Sequence, residues 1–322
     1  MTKIRLNAFP ENTPTNKKLR VFVASCAIIA TLITTVCFSD EISHSVKSGL
    51  LLCTNVIIPS VFPFIILSDL LFRLVDFSSL NFLGAAFEKI FKINRAGLSA
   101  LVLGILCGFP LGVKVSIDLY NSGKISKNEA ERLIGFSNNT GPAFLISGIG
   151  IGLRKNIADG IILYTVMVIS SIIVGWIFSI FASEESMSGS YTEDTTEGFS
   201  FTSSIKSAGI NTLYICSYLT FFACFCGLLR KLLKESYIYL SIICWLEVGS
   251  ATSILSKTKL LTPIASLSLS AFSVGFSGLS VHMQALSFLY GTNLRTRKYF
   301  IMKTTQGALC AILSPLAYIL VS

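Results

Sequence analysis

Charge is what this chain has least of. Lys, Arg, Asp and Glu make up 13% of its 322 residues, about half the share found in a soluble domain. Hydrophobic residues make up 52%, and the mean hydropathy is +0.71. That balance excludes a water-soluble fold, and with it disordered and collagen-like chains. Histidine occurs twice, and the chain shows no nucleophile–base pair, phosphate loop or metal-ligand spacing, so no enzymatic activity, cofactor or metal is expected. The nine cysteines all lie inside apolar segments and read as packing residues rather than as a disulfide scaffold. Excess Lys and Arg give a net charge of +9. They flank apolar runs, which fits the positive-inside rule and not a nucleic-acid surface.

What is present is a series of long uncharged windows, at 21–38, 49–68, 96–113, 133–153, 160–183, 207–229, 260–294 and 304–322, while 236–256 holds only Glu247. Most approach the roughly 20 residues needed to cross hydrocarbon as a helix, and lipid leaves no other way to satisfy an isolated segment's backbone. The expectation is an all-α, polytopic integral membrane protein with about 8–10 transmembrane segments. The amino-terminal run follows Lys17, Lys18 and Arg20 and has no small-x-small site after it, so residues 1–39 read as a cytoplasmic tail and a retained anchor. Residues 183–199, acidic and rich in Ser, Thr and Gly, read as a flexible linker. Ser126-x-x-Glu129 reads as a capping box opening a short surface helix.

Four windows are interrupted. Pro59 and Pro63 fall in the first, Gly108, Pro110 and Gly112 in the second, Gly141 and Pro142 in the third, and Gly275 and Gly278 in the fourth. Broken helices at membrane depth survive only where the freed backbone is buried in protein or faces a wet cavity, which is how transporters build binding sites from half-helices. An internal repeat accompanies them. Val46-Lys47-Ser48-Gly49 matches Ile205-Lys206-Ser207-Ala208, and Gly135-Phe136-Ser137 matches Gly275-Phe276-Ser277. The halves are 40–182 and 200–322. Loop charge favours a parallel arrangement of the repeats, and a re-entrant hairpin would make them inverted.

Polar residues near the breaks are the candidates for a mechanism. Lys114 follows the Gly-Phe-Pro-Leu-Gly segment, Asn138, Asn139 and Thr140 form the third break, and Ser277, His282 and Gln284 surround the fourth. Glu247, alone in its window, reads as a proton-coupling group, a cation ligand or a hydrogen-bond anchor.

The segment GFPLGVKVSIDLYNSGKISKNEAERLIGFSNNTGPAFLISGIGIG at 108–151, together with IIPSVFPF at 57–64, LEVGSA at 246–251 and GFSGLSVHMQ at 275–284, resembles sporulation integral membrane proteins of the YlbJ type, in the nucleoside-recognition or Gate superfamily. The resemblance spans about 40 to 322. It implies inverted Gate-like repeats and transport of dipicolinic acid from the mother cell across the outer forespore membrane. On that reading Lys114 with Asn138 and Asn139 would bind one carboxylate, Ser277 with His282 and Gln284 the other, and Glu247 would couple or gate. Thr140 would add a hydroxyl to the first group. The partners are then a small organic anion and the lipid bilayer, with no nucleic acid. Two alternatives stay open: a carrier of nucleosides or other organic anions, and a membrane scaffold for spore formation that transports nothing.

Overall fold

The computed structural model describes residues 14–74, 81–182 and 201–321, and every regular element among them is a helix. The acidic linker at 183–199 lies outside the described residues. In chain order the first elements are α1 (Pro14–Cys37), α2 (Ser39–Leu52), a π-helical turn (Cys53–Ile57), α3 (Ile58–Leu74) and α4 (Asn81–Phe91). Two pairs of short helices follow: α5 (Gly97–Leu106) with α6 (Leu111–Asn121), and α7 (Lys127–Ser137) with a π-helical segment, Ala143–Arg154. The long α8 (Ile157–Ile180) closes this half. The second half opens on α9 (Phe201–Leu233) and repeats the order, with α10 (Tyr237–Leu246) and α11 (Val248–Leu255), then α12 (Pro263–Phe276) and α13 (Gly278–Leu289), then α14 (Arg297–Val321).

Among the described residues, four stretches are long and apolar enough to cross a membrane: Ser39–Leu67, Ile157–Ile180, Phe201–Leu233 and Pro263–Leu289. Shorter apolar helices include Gly97–Leu106, Ala143–Arg154 and Tyr237–Leu246. A ten-residue helix is about 15 Å long, half of a bilayer core. The outward faces are greasy, with Leu213, Ile312 and Leu320 among many large apolar side chains left exposed. Such a surface is stable only against lipid.

Local chemistry explains the helix ends. Ser126 and Glu129 form the expected capping box at α7, Asn156 caps α8, Ser236 caps α10, and Thr262 caps α12 with Pro263 as its first residue. The α7 helix is not on the surface, however. Glu129, Glu131 and Arg132 are all buried because each has backbone to answer: Glu129 accepts from the Asn94 amide, Glu131 from the Arg295 amide, and Arg132 donates to the carbonyls of Phe91 and Lys92. Arg154 is likewise tied into the fold, by a 2.5 Å ion pair with Asp159 and a hydrogen bond donated to Ser266.

The helix survives both prolines of the 57–64 segment. Pro63 lies inside α3, and the π turn just before Pro59 widens the spiral where the ring would otherwise strike a carbonyl. The other expected breaks are real, at 107–110, 138–142 and 277, and Glu247 makes one more between α10 and α11.

The breaks cross in pairs. Gly108, at φ +81°, lies so close to the break at 138–142 that a Cβ there would sit 2.6 Å from the Gly141 nitrogen. Gly278, at φ +65°, brings the break at 277 onto the one at Glu247, and a Cβ there would lie 3.1 Å from the Leu246 carbonyl and 3.2 Å from the Glu247 Cα. Gly112 and Gly275 lie in helices instead. Gly112 passes the Ser137 carbonyl, and Gly275 in the last turn of α12 packs on Gln306 and Gly307 of α14. Because a Cβ on Gly104 would fall 1.7 Å from the Ser137 carbonyl, Gly104→Ala is expected to destabilise the protein by about 1–3 kcal/mol. Gly209→Ala, with no neighbour within 4 Å, leaves the thermal midpoint in detergent unchanged or slightly raised.

Candidate functional site

The four breaks meet at one cavity. It holds about 550 Å³, part of it open to the surroundings, and touches Gly108, Thr140, Gly141, Glu247, Ser280 and Gln284. Both halves therefore contribute broken backbone to the same space. Phe64, Phe109 and Phe144 supply aromatic walls, so the cavity is largely apolar with a few polar groups set into it, the usual make-up of a small-molecule site.

Two of those polar groups have no partner. Thr140 Oγ1 and Gln284 Oε1 are buried without a hydrogen bond, in residues 1% and 3% exposed. An unanswered buried polar atom costs about 1–3 kcal/mol, a cost that a bound solute able to donate or accept at those positions would remove.

Glu247 is the acid of the cavity. Its carboxylate caps α11, accepting from the Gly249 amide at 2.9 Å and from the Ser250 amide. Of the three readings of this residue, the hydrogen-bond anchor is the one whose partners are visible. The helices that begin at the other three breaks have no side-chain cap: α6 starts after Pro110, the π-helical segment after Pro142 and α13 after Ser277. Their free N–H groups and positive dipole ends lie at the breaks.

The remaining candidates separate into three groups. Lys114 is exposed on α6, one turn from the equally exposed Asp118, and does not reach the cavity; the first turns of α6 bury Gly112, Val113 and Ser116 and turn the lysine outward. Asn139 is internally satisfied, since it donates to the Phe136 carbonyl and to Ser171 and accepts from Gln306. Ser277 is a buried hinge residue at φ +78°. Asn138 and His282 belong to a buried network behind the break at 138–142. Asn138 Nδ2 donates to the Tyr299 hydroxyl at 3.0 Å, and that hydroxyl shares a 2.8 Å hydrogen bond with His282 Nδ1.

Lys303 is the residue that sequence reasoning passed over. It is 0% exposed, and its ammonium donates to the Asn138 carbonyl at 2.8 Å and to Gln306 Oε1 at 2.7 Å. An uncharged window begins immediately after it, so Lys303 reads as flanking charge. In the structure α14 begins at Arg297, which places Lys303 well inside the helix. The signal that could have found it is helical phase: with Tyr299 and Gln306 it forms one stripe at i, i+4 and i+7.

The chain is similar to the sporulation integral membrane protein YlbJ of Bacillus subtilis (strain 168), with 26% identity over 317 aligned positions covering 83% of this chain and 75% of that protein. This supports its assignment to the YlbJ type. No family model and no solved structure matches the chain. Taken with the apolar exposed helices, the similarity makes the chain an integral membrane protein.

The cap on α11 yields a direct test. Glu247→Ala leaves two amides of that helix unanswered and is expected to lower stability by about 0.5–2 kcal/mol, whereas Glu247→Gln keeps one acceptor and stays closer to wild type. Thermal unfolding of the two purified variants in detergent ranks them.

Proposed function

We propose that the chain carries a small organic solute across the membrane by alternating access around the cavity at the four breaks. Within sporulation, the solute is dipicolinate or a close analogue, taken from the mother cell across the outer forespore membrane. The observation that carries this reading is the convergence of broken helices from both halves on one aromatic-walled cavity with unanswered Thr140 and Gln284. A planar aromatic ring matches Phe64, Phe109 and Phe144. Its carboxylates match the uncapped helix starts, and Thr140 can donate to them. In this assignment Lys114, Asn139 and Ser277 are no longer ligands, while Thr140 and Gln284 remain.

Glu247 constrains the chemistry, because its carboxylate repels a dianion in the same cavity. The carrier reading therefore has the solute enter with at least one proton, on itself or on Glu247. The same acid favours a second reading. With no Lys, Arg or His among the residues lining the cavity, an uncharged solute such as a nucleoside, with several hydroxyls for Thr140, Ser280 and Gln284, also fits.

Counterflow in proteoliposomes with labelled dipicolinate, competed by unlabelled dipicolinate or nucleosides, tests both. The expected result is dipicolinate exchange that falls about tenfold in Gln284→Ala or Thr140→Val, as loss of one charge-assisted hydrogen bond predicts, and stays unchanged in Lys114→Ala. Exchange competed only by nucleosides selects the second reading, and absence of any exchange by folded protein refutes both.

A further inference from the structure

We propose that Lys303 is an internal proton-binding site, set behind the cavity, whose occupancy controls the position of the Asn138–Pro142 break. It rests on the carrier reading only for its consequence in transport, since the site itself is a matter of geometry.

A lysine 0% exposed inside a membrane-protein helix is expensive to keep charged unless a carboxylate or several acceptors compensate it. Among the described residues no carboxylate lies within ion-pair distance of it. Its ammonium has three protons and two acceptors, the Asn138 carbonyl and Gln306 Oε1. The charge is therefore held by two neutral oxygens, a setting in which a proton can be bound and released at modest cost.

What the ammonium holds is the break itself. Asn138 is the C-cap residue where α7 ends, and Lys303 answers its freed carbonyl from α14. Gln306, one turn further along, donates to Asn139 Oδ1 at 2.8 Å. Tyr299, one turn earlier, bridges Asn138 and His282. Three successive turns of α14 thus grip the two residues that precede Thr140 and Gly141 in the cavity wall. Loss of the proton from Lys303 replaces a charge-assisted bond to the break by a neutral one about half as strong.

The network also has spare capacity. Asn138 Oδ1 and His282 Nε2 are buried without partners, so it can rearrange without first breaking other bonds. The titratable groups facing Lys303 are His282 from α13 and, along α14, Tyr299 and Cys310. From α7 and its break come the neutral Asn138 and Asn139, and from α8 Met167, Ser170 and Ser171. The facing stretch of α12, around Ser270 and Ser273, holds no acid or base.

Three full-length variants decide the matter: Lys303→Gln, Lys303→Arg and Tyr299→Phe. The first readout needs no solute. The difference in thermal midpoint between wild type and Lys303→Gln, in detergent, is expected to change with pH, and a constant difference overturns the proton site. The second uses labelled dipicolinate in proteoliposomes carrying a pH dye. A pH gradient is expected to accelerate wild-type uptake, and in Lys303→Gln the ratio of uptake with and without the gradient falls to about one while exchange at equal pH persists.

Lys303→Arg separates a proton site from a structural charge, because an arginine does not give up its proton. It is expected to lose the gradient response as Lys303→Gln does, and restoration of the response by Arg overturns the proposal. Tyr299→Phe keeps the ammonium but cuts the link to His282, and shifts the pH of half-maximal response. If Lys303→Gln does not purify, the arginine and phenylalanine variants carry both comparisons. Wild-type protein that moves no dipicolinate refutes that substrate, while the unfolding comparison still decides the proton site.

Discussion

Every feature of this molecule follows from the need to answer backbone hydrogen-bonding groups where a helix stops inside a membrane. An unsatisfied amide or carbonyl in hydrocarbon costs several kcal/mol, and each of the four breaks frees several. The fold answers them by crossing the breaks in pairs at Gly108 with Gly141 and at Gly278 with Glu247, and by aiming buried side chains at what is left. Glu247 takes the amides of Gly249 and Ser250, and Lys303 takes the carbonyl of Asn138. The cavity is the space that remains where the crossings meet.

That constraint sorts polar residues into two roles. Those that answer backbone, such as Glu129, Arg132 and Asn139, are buried and bonded to it. Others keep an unanswered side-chain oxygen, and two of these, Thr140 and Gln284, line the cavity. A third set, the Asn138, Tyr299, His282 and Lys303 network, lies between them and joins the first-half break to α14 of the second half. The long α14 is therefore a strut that holds one half's break from the other half, so any motion of the break must be accompanied by a change along this helix.

Much of the architecture was legible in the residues. Gly-Phe-Pro at 108–110, Asn-Asn-Thr-Gly-Pro at 138–142 and Ser277-Gly278 broke their helices as expected, because Gly, Pro and Asn each remove a reason for the chain to continue. The prolines at 59 and 63 did not: a π turn just before Pro59 lets the spiral absorb its ring, and α3 continues through Pro63. Glu247 broke a helix for a reason that composition hides: its side chain replaces the backbone as acceptor for the next helix. Lys114 looked like a ligand by position along the chain and is turned outward by the face that α6 buries.

The sequence by itself determined that this chain lives in a bilayer, that it is helical, and where most of its helices are interrupted, because charge scarcity, window length and backbone chemistry are local properties. Only the tertiary structure decided which polar groups share a space. Thr140 and Gln284 lie far apart in the chain and meet because two crossings meet. Lys303 lies at the edge of an uncharged run, and becomes a buried ammonium only because α14 packs its second turn against a carbonyl freed in the other half.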